Sequence, residues 1–533
     1  MTTLVHPADT LTRDALTVLQ PGFTGTSAPD WLLRRLGEGL ASVGLFGRNI
    51  ASPDQLAALT AELRAEREDV LVAIDEEGGD VTRLEVRGGS SFPGNLALGA
   101  VDDPRLTHDV ARELGRRLAE CGVNLNWAPS ADVNSNPSNP VIGVRSFGAD
   151  PLLVARHTAA YVEGLQSAGV AACAKHFPGH GDTAVDSHHD LPRIAAELRT
   201  LQERELVPFR AAIAAGTKAV MSAHILLPAL DGTLPATLSR NVLTGLLRAP
   251  VSEGGLGFDG LIVTDGMEMR AIAGTYGIEH GSVLAIAAGA DAICVGGGLA
   301  DEATVLRLRD ALVQAVRDGE LSEKRLADAA ARVRALARWT RSAGAAQGTL
   351  PGERGVAPAP EAGLVAARRA LRVTRNGPYE PLTTPAYVAA FTPVANIAVG
   401  DETPWGVAAE LARLLPGTET GTYGSTGEAG DADRPGGTGE AEGTGGAGRS
   451  AQAAQVAEVL RAAGERRIVA VVRDAHRHAW MTAALDALLD ARPDTVVVEM
   501  GLPQAAPRGA LHIATHGAAR VCGRAAAEVI AGG

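Results

Sequence analysis

Residues 174–192 hold the chain's densest run of groups able to move protons or bind polar ligands. Between Lys175 and Asp190, sixteen positions contain four histidines (His176, His180, His188, His189), three aspartates (Asp182, Asp186, Asp190) and one lysine. An apolar run at 170–174 precedes them and reads as a buried strand. Pro178, Gly179, Gly181 and Pro192 then bar continuation as helix or strand, so the segment is a loop. A loop needs few charges to stay soluble, and one this rich in imidazole and carboxylate converges on a ligand.

The elements that must position this loop follow a regular rhythm. Short apolar runs lie at 16–20, 43–46, 70–74, 125–128, 170–174, 219–223, 261–264 and 292–295. Amphipathic helical patterns separate them, among them 54–66, 104–120, 152–167, 195–215 and 302–317. Eight such units in about 300 residues imply an α/β fold of the (β/α)8 TIM type, whose parallel strands are buried and read as continuous apolar runs. A doubly wound open sheet is the alternative that periodicity leaves open. Barrels of this kind carry catalytic side chains at the C-terminal ends of their strands. Asp75 follows the third run, Arg145 lies in the loop after the fourth, Lys175 and His176 follow the fifth, and Asp265 closes the seventh. His224, at the end of the sixth, would face the same mouth.

With 533 residues the chain exceeds one ordinary core, and two domains are expected. The barrel is expected over 1–343, a Gly/Ala/Pro-rich linker over 344–360, and a smaller α/β sandwich over 361–533. Runs at 387–391, 468–472, 495–499 and 512–514 supply the sandwich's strands, with helices at 405–414, 451–463, 480–490 and 517–530. Residues 416–450, rich in Gly, Thr and Glu and nearly without apolar side chains, are expected to be disordered, because they cannot bury enough surface to offset chain entropy.

Hydrophobic residues at 46% and charged ones at 21% describe a soluble globular protein. A formal net charge of −13 with no basic stripe argues against nucleic acid or an anionic membrane as partner. No apolar run reaches membrane-spanning length, and the first residues lack the basic-then-apolar pattern of a signal peptide. Cys121, Cys173, Cys294 and Cys522 are far apart in apolar contexts and form neither a zinc spacing nor a disulfide framework. The expectation is a cytoplasmic protein, a monomer or weak homo-oligomer, without metal or cofactor.

Lys175-His176-Phe177-Pro178-Gly179-His180-Gly181-Asp182-Thr183, followed by Asp186-Ser187-His188, resembles the signature of glycoside hydrolase family 3, in its β-N-acetylglucosaminidase (NagZ-like) branch. Three further blocks occur in the family's order: Asp75-Glu76-Glu77-Gly78-Gly79-Asp80-Val81-Thr82-Arg83, Val141-Ile142-Gly143-Val144-Arg145-Ser146-Phe147, and Val263-Thr264-Asp265-Gly266-Met267-Glu268-Met269. The resemblance spans roughly residues 15–340. It implies that Asp265 is a nucleophile forming a covalent glycosyl-enzyme. It implies that His188, hydrogen-bonded to Asp186, is the general acid and then the base. Asp75, Arg83, Arg145, Lys175 and His176 would hold the hydroxyls of a terminal sugar, with His224 and Met267 as possible pocket residues. It further implies a flavodoxin-like second domain, in which His476 and His478 are not catalytic. Asp80 departs from the family pattern, where a basic residue is common after the Gly-Gly pair, and an altered charge behind the site is expected there.

The chemistry is self-consistent. A retaining glycosidase needs a nucleophile and an acid/base group flanking the anomeric carbon, usually two carboxyls about 5–5.5 Å apart. A histidine acid avoids the mutual repulsion of two carboxylates, because an imidazolium and Asp265 stabilise each other. Asp186 can orient the imidazole as a triad aspartate does. Residues 183–190 would form a flap that carries His188 over bound sugar. The activity implied is exo-hydrolysis of terminal β-linked N-acetylglucosamine from GlcNAc-terminated oligosaccharides of muropeptide or chitin origin. Phosphorolysis by a β-N-acetylglucosaminide phosphorylase, β-glucosidase activity, a metal-dependent hydrolase using His176, His180 and His188, and a non-catalytic sugar-binding protein are the rivals.

Overall fold

The structure is a computed structural model, and it describes residues 7–183, 191–299, 301–347, 361–393, 399, 402–425 and 445–533. Eight short strands punctuate the first part: β1 (Leu19–Pro21), β2 (Ser42–Leu45), β3 (Leu71–Ile74), β4 (Leu125–Asn126), β5 (Ala171–Phe177), β6 (Ala219–Ser222), β7 (Leu261–Thr264) and β8 (Ile293–Val295). Strands β2 to β7 form one parallel sheet in sequential order, and β1 pairs in parallel with β8. A parallel bridge between Val263 and Ala292 links β7 to the approach of β8. Each apolar run in the sequence overlaps one strand, and β5 runs on through Lys175-His176-Phe177, so the loop expected from residue 174 begins only after Phe177. The first strand begins late because helix Pro7–Thr17 takes Leu16 and Thr17.

The helices between the strands start where their caps dictate. At Ser52-Pro53, Asp103-Pro104 and Asp150-Pro151 a side-chain oxygen accepts from backbone N–H groups two or three residues on. The proline occupies the first helical position, where no N–H is needed. Along the strands, every residue is buried and successive side chains alternate between two clusters. Leu71, Ala73, Leu125, Cys173, Met221 and Val263 pack in one cluster. Their neighbours Val72, Ile74, Ala172, Val220 and Ile262 pack with the helices instead. Both faces of the sheet are therefore dry, which is why the strands read as unbroken apolar runs.

The second part is a six-stranded sheet of β9 (Arg372–Arg375), β10 (Tyr387–Phe391), β11 (Glu419–Tyr423), β12 (Ile468–Val472), β13 (Val496–Glu499) and β14 (Leu511–Ala514). The spatial order is β11-β10-β12-β13-β14-β9, with only β9 antiparallel. Here two expectations are corrected. Strand β11 and the start of helix Gly445–Ala463 lie within residues 416–450, which had read as disordered. The strand is held by its parallel register on β10 and by a 2.7 Å hydrogen bond between the Tyr387 and Tyr423 hydroxyls. Residues 426–444 of that tract lie outside the described residues. Helix Glu323–Gln347 also runs past residue 343 into the expected linker, whose residues 348–360 are likewise outside.

The two parts pack against each other. Helix Ala362–Ala370 lies on helices Asn95–Val101 and Pro104–Glu120, with Arg369 paired to Asp103 at 2.9 Å. The C-terminal strand ends of the second sheet meet the loops that follow β3 and β4. Val521 N–H donates to the Ser90 carbonyl at 3.2 Å, and His476 Nε2 lies 3.1 Å from the Pro137 carbonyl.

Candidate active site

Strand β5 ends in Lys175, His176 and Phe177, and its first two polar side chains are aimed by buried acids. Lys175 Nζ lies 2.5 Å from Asp75 Oδ1 and 2.6 Å from Glu77 Oε1. Glu77 also takes Arg145, with 2.7 Å between Oε1 and Nη2 and a second contact through Nε. Arg145 Nη2 reaches to 3.4 Å from His176 Nε2. His176 Nδ1 is held by Asp132 Oδ2 at 2.7 Å, which leaves Nε2 turned toward Arg145. Asp132 also accepts the backbone N–H of His180 at 2.7 Å. Arg83 closes the group, with Nη2 3.8 Å from Asp75 Oδ2. Of the sequence-derived residues, the structure thus gathers Asp75, Arg83, Arg145, Lys175 and His176 into one network.

The network is graded from wet to dry. Asp75 and Arg83 keep 22% and 15% of their side-chain surface, whereas Lys175 and Glu77 keep 2% and 3%. Burial pushes the Glu77 carboxyl up, but the charges of Arg145 and Lys175 more than offset it and hold the group well below the usual carboxylate range. Burial likewise works against the Lys175 ammonium, and Asp75 and Glu77 overcome it, so the lysine stays charged. Asp132 is kept low in the same way, burial being outweighed by His176. The outcome is a set of fixed cations and carboxylates whose outermost members can donate to and accept from a polyhydroxylated ligand.

Asp265 is the first residue past β7. Its N–H donates to the Ser222 carbonyl at 3.2 Å and its Oδ1 accepts from Gly266 N–H at 2.8 Å. It shares an end of the sheet with the network, because β5, β6 and β7 are parallel neighbours and Lys175 and Asp265 both stand at C-terminal strand ends. Burial pushes the Cys173 thiol up; beyond that, Lys175 opposes the shift while the carboxylates of Asp75 and Asp265 add to it. Cys294 is raised by burial and then by Glu268, Asp265 and Asp75. His224 is fully buried, with its ring nitrogens 2.9 Å from Thr237 Oγ1 and 2.9 Å from the Gly266 carbonyl, so it buttresses the turn after Asp265. Met267 is fully buried in the apolar core. Glu268 reaches the loop after β8, where its Oε1 accepts from Gly296 N–H at 3.0 Å and from Gly297 N–H.

Asp186 and His188, with His189 and Asp190, lie outside the described residues. The stem of their loop is described and tightly held. Asn139 Nδ2 donates to the His180 carbonyl at 2.9 Å and to Thr183 Oγ1 at 3.2 Å, and Asn136 Nδ2 donates to the Thr183 carbonyl at 3.2 Å. A Cβ on Gly181 would sit 1.7 Å from the Val133 carbonyl oxygen, so this passage admits only glycine. His180 is buried at the stem with Nδ1 2.9 Å from Thr183 Oγ1. Burial, helped by His176, pushes it down to about 4, a neutral structural imidazole.

Glu77 and Asp132 are organising residues that sequence reasoning passed over. Glu77 stood inside a quoted block but beside the more conspicuous Asp75. Asp132 had one signal, an acid flanked by apolar Ala131 and Val133 in a buried run.

Comparison with known proteins places these features in a family. Residues 33–336 match the model of the glycosyl hydrolase family 3 N-terminal domain. A β-hexosaminidase A of Pseudoalteromonas piscicida is 34% identical over 316 residues, a match covering 55% of this chain and 52% of that protein. A β-hexosaminidase of Thiobacillus denitrificans is 39% identical over 288 residues, covering 52% of this chain and 78% of its own length. Among solved structures, a family 3 β-N-acetylglucosaminidase from a Paenibacillus species superposes with a TM-score of 0.82 at 35% identity, covering 98% of this chain and 96% of that one. A β-N-acetylhexosaminidase from Beutenbergia cavernae matches with a TM-score of 0.54 at 30% identity, covering 62% of this chain and 98% of its own.

Proposed function

The chain belongs to glycosyl hydrolase family 3, and on that premise we propose that it is a retaining exo-β-N-acetylglucosaminidase. It removes terminal β-linked N-acetylglucosamine from muropeptide or chitin-derived oligosaccharides. The observation that carries this reading is the buried Lys175–Asp75–Glu77–Arg145 network at the end of the sheet where Asp265 leaves β7. In the proposed reaction the outer members, Asp75 and Arg83 with Lys175 behind them, grip the hydroxyls of the terminal sugar. Asp265 attacks the anomeric carbon, and a proton from His188 releases the aglycone oxygen. Asp186 steadies the resulting change in imidazole charge, and His188 then takes a proton from water, which cleaves the glycosyl–Asp265 ester.

The eight strands are read as a (β/α)8 barrel. The Val263–Ala292 bridge supports its closure on one side, and the 3.1 Å hydrogen bond from Ser42 Oγ to the Leu19 carbonyl supports it between β2 and β1. The second sheet is read as a flavodoxin-like sandwich, with the first domain ending in helix Glu323–Gln347 and the second at 361–533. Four free, buried thiols suit a reducing compartment, and a cytoplasmic site of action is part of the proposal.

Asp265→Ala should lower turnover of an aryl β-N-acetylglucosaminide by several orders of magnitude while sugar binding persists; near-normal turnover removes Asp265 from the nucleophile's role. His188→Ala should impair substrates with poor leaving groups far more than activated aryl glycosides, and equal losses on both would contradict the acid assignment. Product analysis in phosphate buffer separates hydrolysis from phosphorolysis: a sugar 1-phosphate would redirect the reading.

A further inference from the structure

We propose that Arg473, on the second sheet, is a positioning residue for the terminal-sugar site: by pairing with buried Asp80 it fixes the loop that carries Asp75, Glu77 and Arg83. The inference rests on the proposed function for the meaning of that site.

The loop after β3 folds back on itself. The Glu76 carboxylate accepts from Thr82 Oγ1, Arg83 N–H and Leu84 N–H at 3.0, 2.7 and 2.8 Å. Glu77 N–H donates to the Val81 carbonyl at 3.0 Å, and Gly78 and Gly79 make the turn with φ of 74° and 64°. A Cβ on Gly79 would lie 2.4 Å from the Gly94 Cα. Asp80 is the first residue of the returning limb, three positions from Glu77 and three from Arg83. Its side chain is 2% exposed and has two hydrogen-bonding partners among the described residues, both from the second part of the chain. Arg473 Nη2 lies 2.5 Å from Oδ2, and Ala518 N–H donates to Oδ1 at 2.7 Å.

Arg473 stands on a rigid base. It follows β12 directly, and its guanidinium lies 5.7 Å from the centre of the Trp405 ring. The next two N–H groups, of Asp474 and Ala475, donate to the Glu499 carboxylate at 2.9 and 3.3 Å. Burial raises the Asp80 carboxyl and Arg473 opposes the rise. Without the guanidinium a buried carboxylate is left with one backbone donor, and the loop must open to hydrate it or take up a proton. Opening carries Glu77 with it, because its N–H is paired to the returning limb at Val81, and Glu77 aims both Lys175 and Arg145. The Beutenbergia cavernae relative is accounted for by 62% of this chain, so the fold can exist without the remainder. A carboxylate at Asp80 makes this chain's sugar site depend on that remainder.

The test is a mutant cycle on the full chain, comparing Arg473→Ala, Asp80→Ala and the double variant on an aryl β-N-acetylglucosaminide. Arg473→Ala should raise KM by about tenfold or more with kcat changed by less than about threefold, and the double variant should regain most of that loss, because no buried carboxylate remains unpaired. Unchanged KM in a folded Arg473→Ala protein, or an equal KM in the single and double variants, overturns the proposal. If Arg473→Ala does not fold, Arg473→Lys replaces it, with an intermediate KM expected and a wild-type KM counting against. If the wild type itself shows no turnover, the proposed function fails, and hydrogen exchange of residues 75–84 decides the coupling. Faster exchange in Arg473→Ala than in the double variant supports it, and equal exchange overturns it.

Discussion

At the scale of single residues, Glu77 is the pivot of the site. It touches two cations at once, and each cation touches another site residue: Lys175 reaches Asp75, and Arg145 reaches His176. Replacing one carboxylate oxygen by an amide would leave two buried cations facing a neutral group. Breaking a buried pair by removing one partner costs roughly 3–5 kcal/mol. Glu77→Gln should therefore lower the melting temperature by several degrees and raise KM by about tenfold. A variant that melts and binds like the wild type would show that Asp75 alone can aim the lysine. Asp75, Lys175, His176 and Asp265 at strand ends, and Arg145 in the loop after β4, were legible in the sequence because they stand in recognisable blocks. Glu77 and Asp132 were not, because their work consists of contacts across 98 and 44 residues that only the folded sheet brings together.

At the scale of elements, the strands of the first sheet could be read because both faces are dry, so nearly every residue is apolar. The margins of the second sheet could not. Strand β9 is Arg-Val-Thr-Arg and mostly exposed, and β11 is Glu-Thr-Gly-Thr-Tyr with only Tyr423 buried. Neither carries a hydrophobic pattern, and each is a strand because a neighbour offers it hydrogen bonds. The loop that follows β14 carries a testable consequence. His516 is buried in the left-handed region at φ 58°, and burial, reinforced by the charge of Arg372, pushes its imidazole down to about 4. As pH falls below the ordinary value near 6.5 the unfolded chain takes up this proton first. Stability present above pH 6.5 is thus lost progressively toward pH 4, up to roughly 3 kcal/mol. His516→Asn tolerates the same backbone conformation and removes the titration. Relative to this variant, the wild type should lose ground in thermal melts between pH 7 and pH 4; a constant difference across that range would sink the assignment.

At the scale of the whole molecule, the two sheets are tied by buried as well as exposed contacts. The Asp80–Arg473 pair, the Ala518 N–H on Asp80, the Val521 N–H on the Ser90 carbonyl, and helix Ala362–Ala370 against two helices of the first part all cross the boundary. Opening the halves would expose an unpaired carboxylate, so neither half can melt early without a penalty in the other. Calorimetry of the full chain should give one transition; two well-separated transitions would mean that the interface contributes little.

The outer strands of the second sheet have a bearing on self-association. Strand β9 runs against its neighbours and exposes Arg372 and Arg375, while β11 exposes Glu419 at the opposite margin. Charged, short border strands are poor templates for strand addition. Strand addition to this sheet is thereby discouraged at both borders.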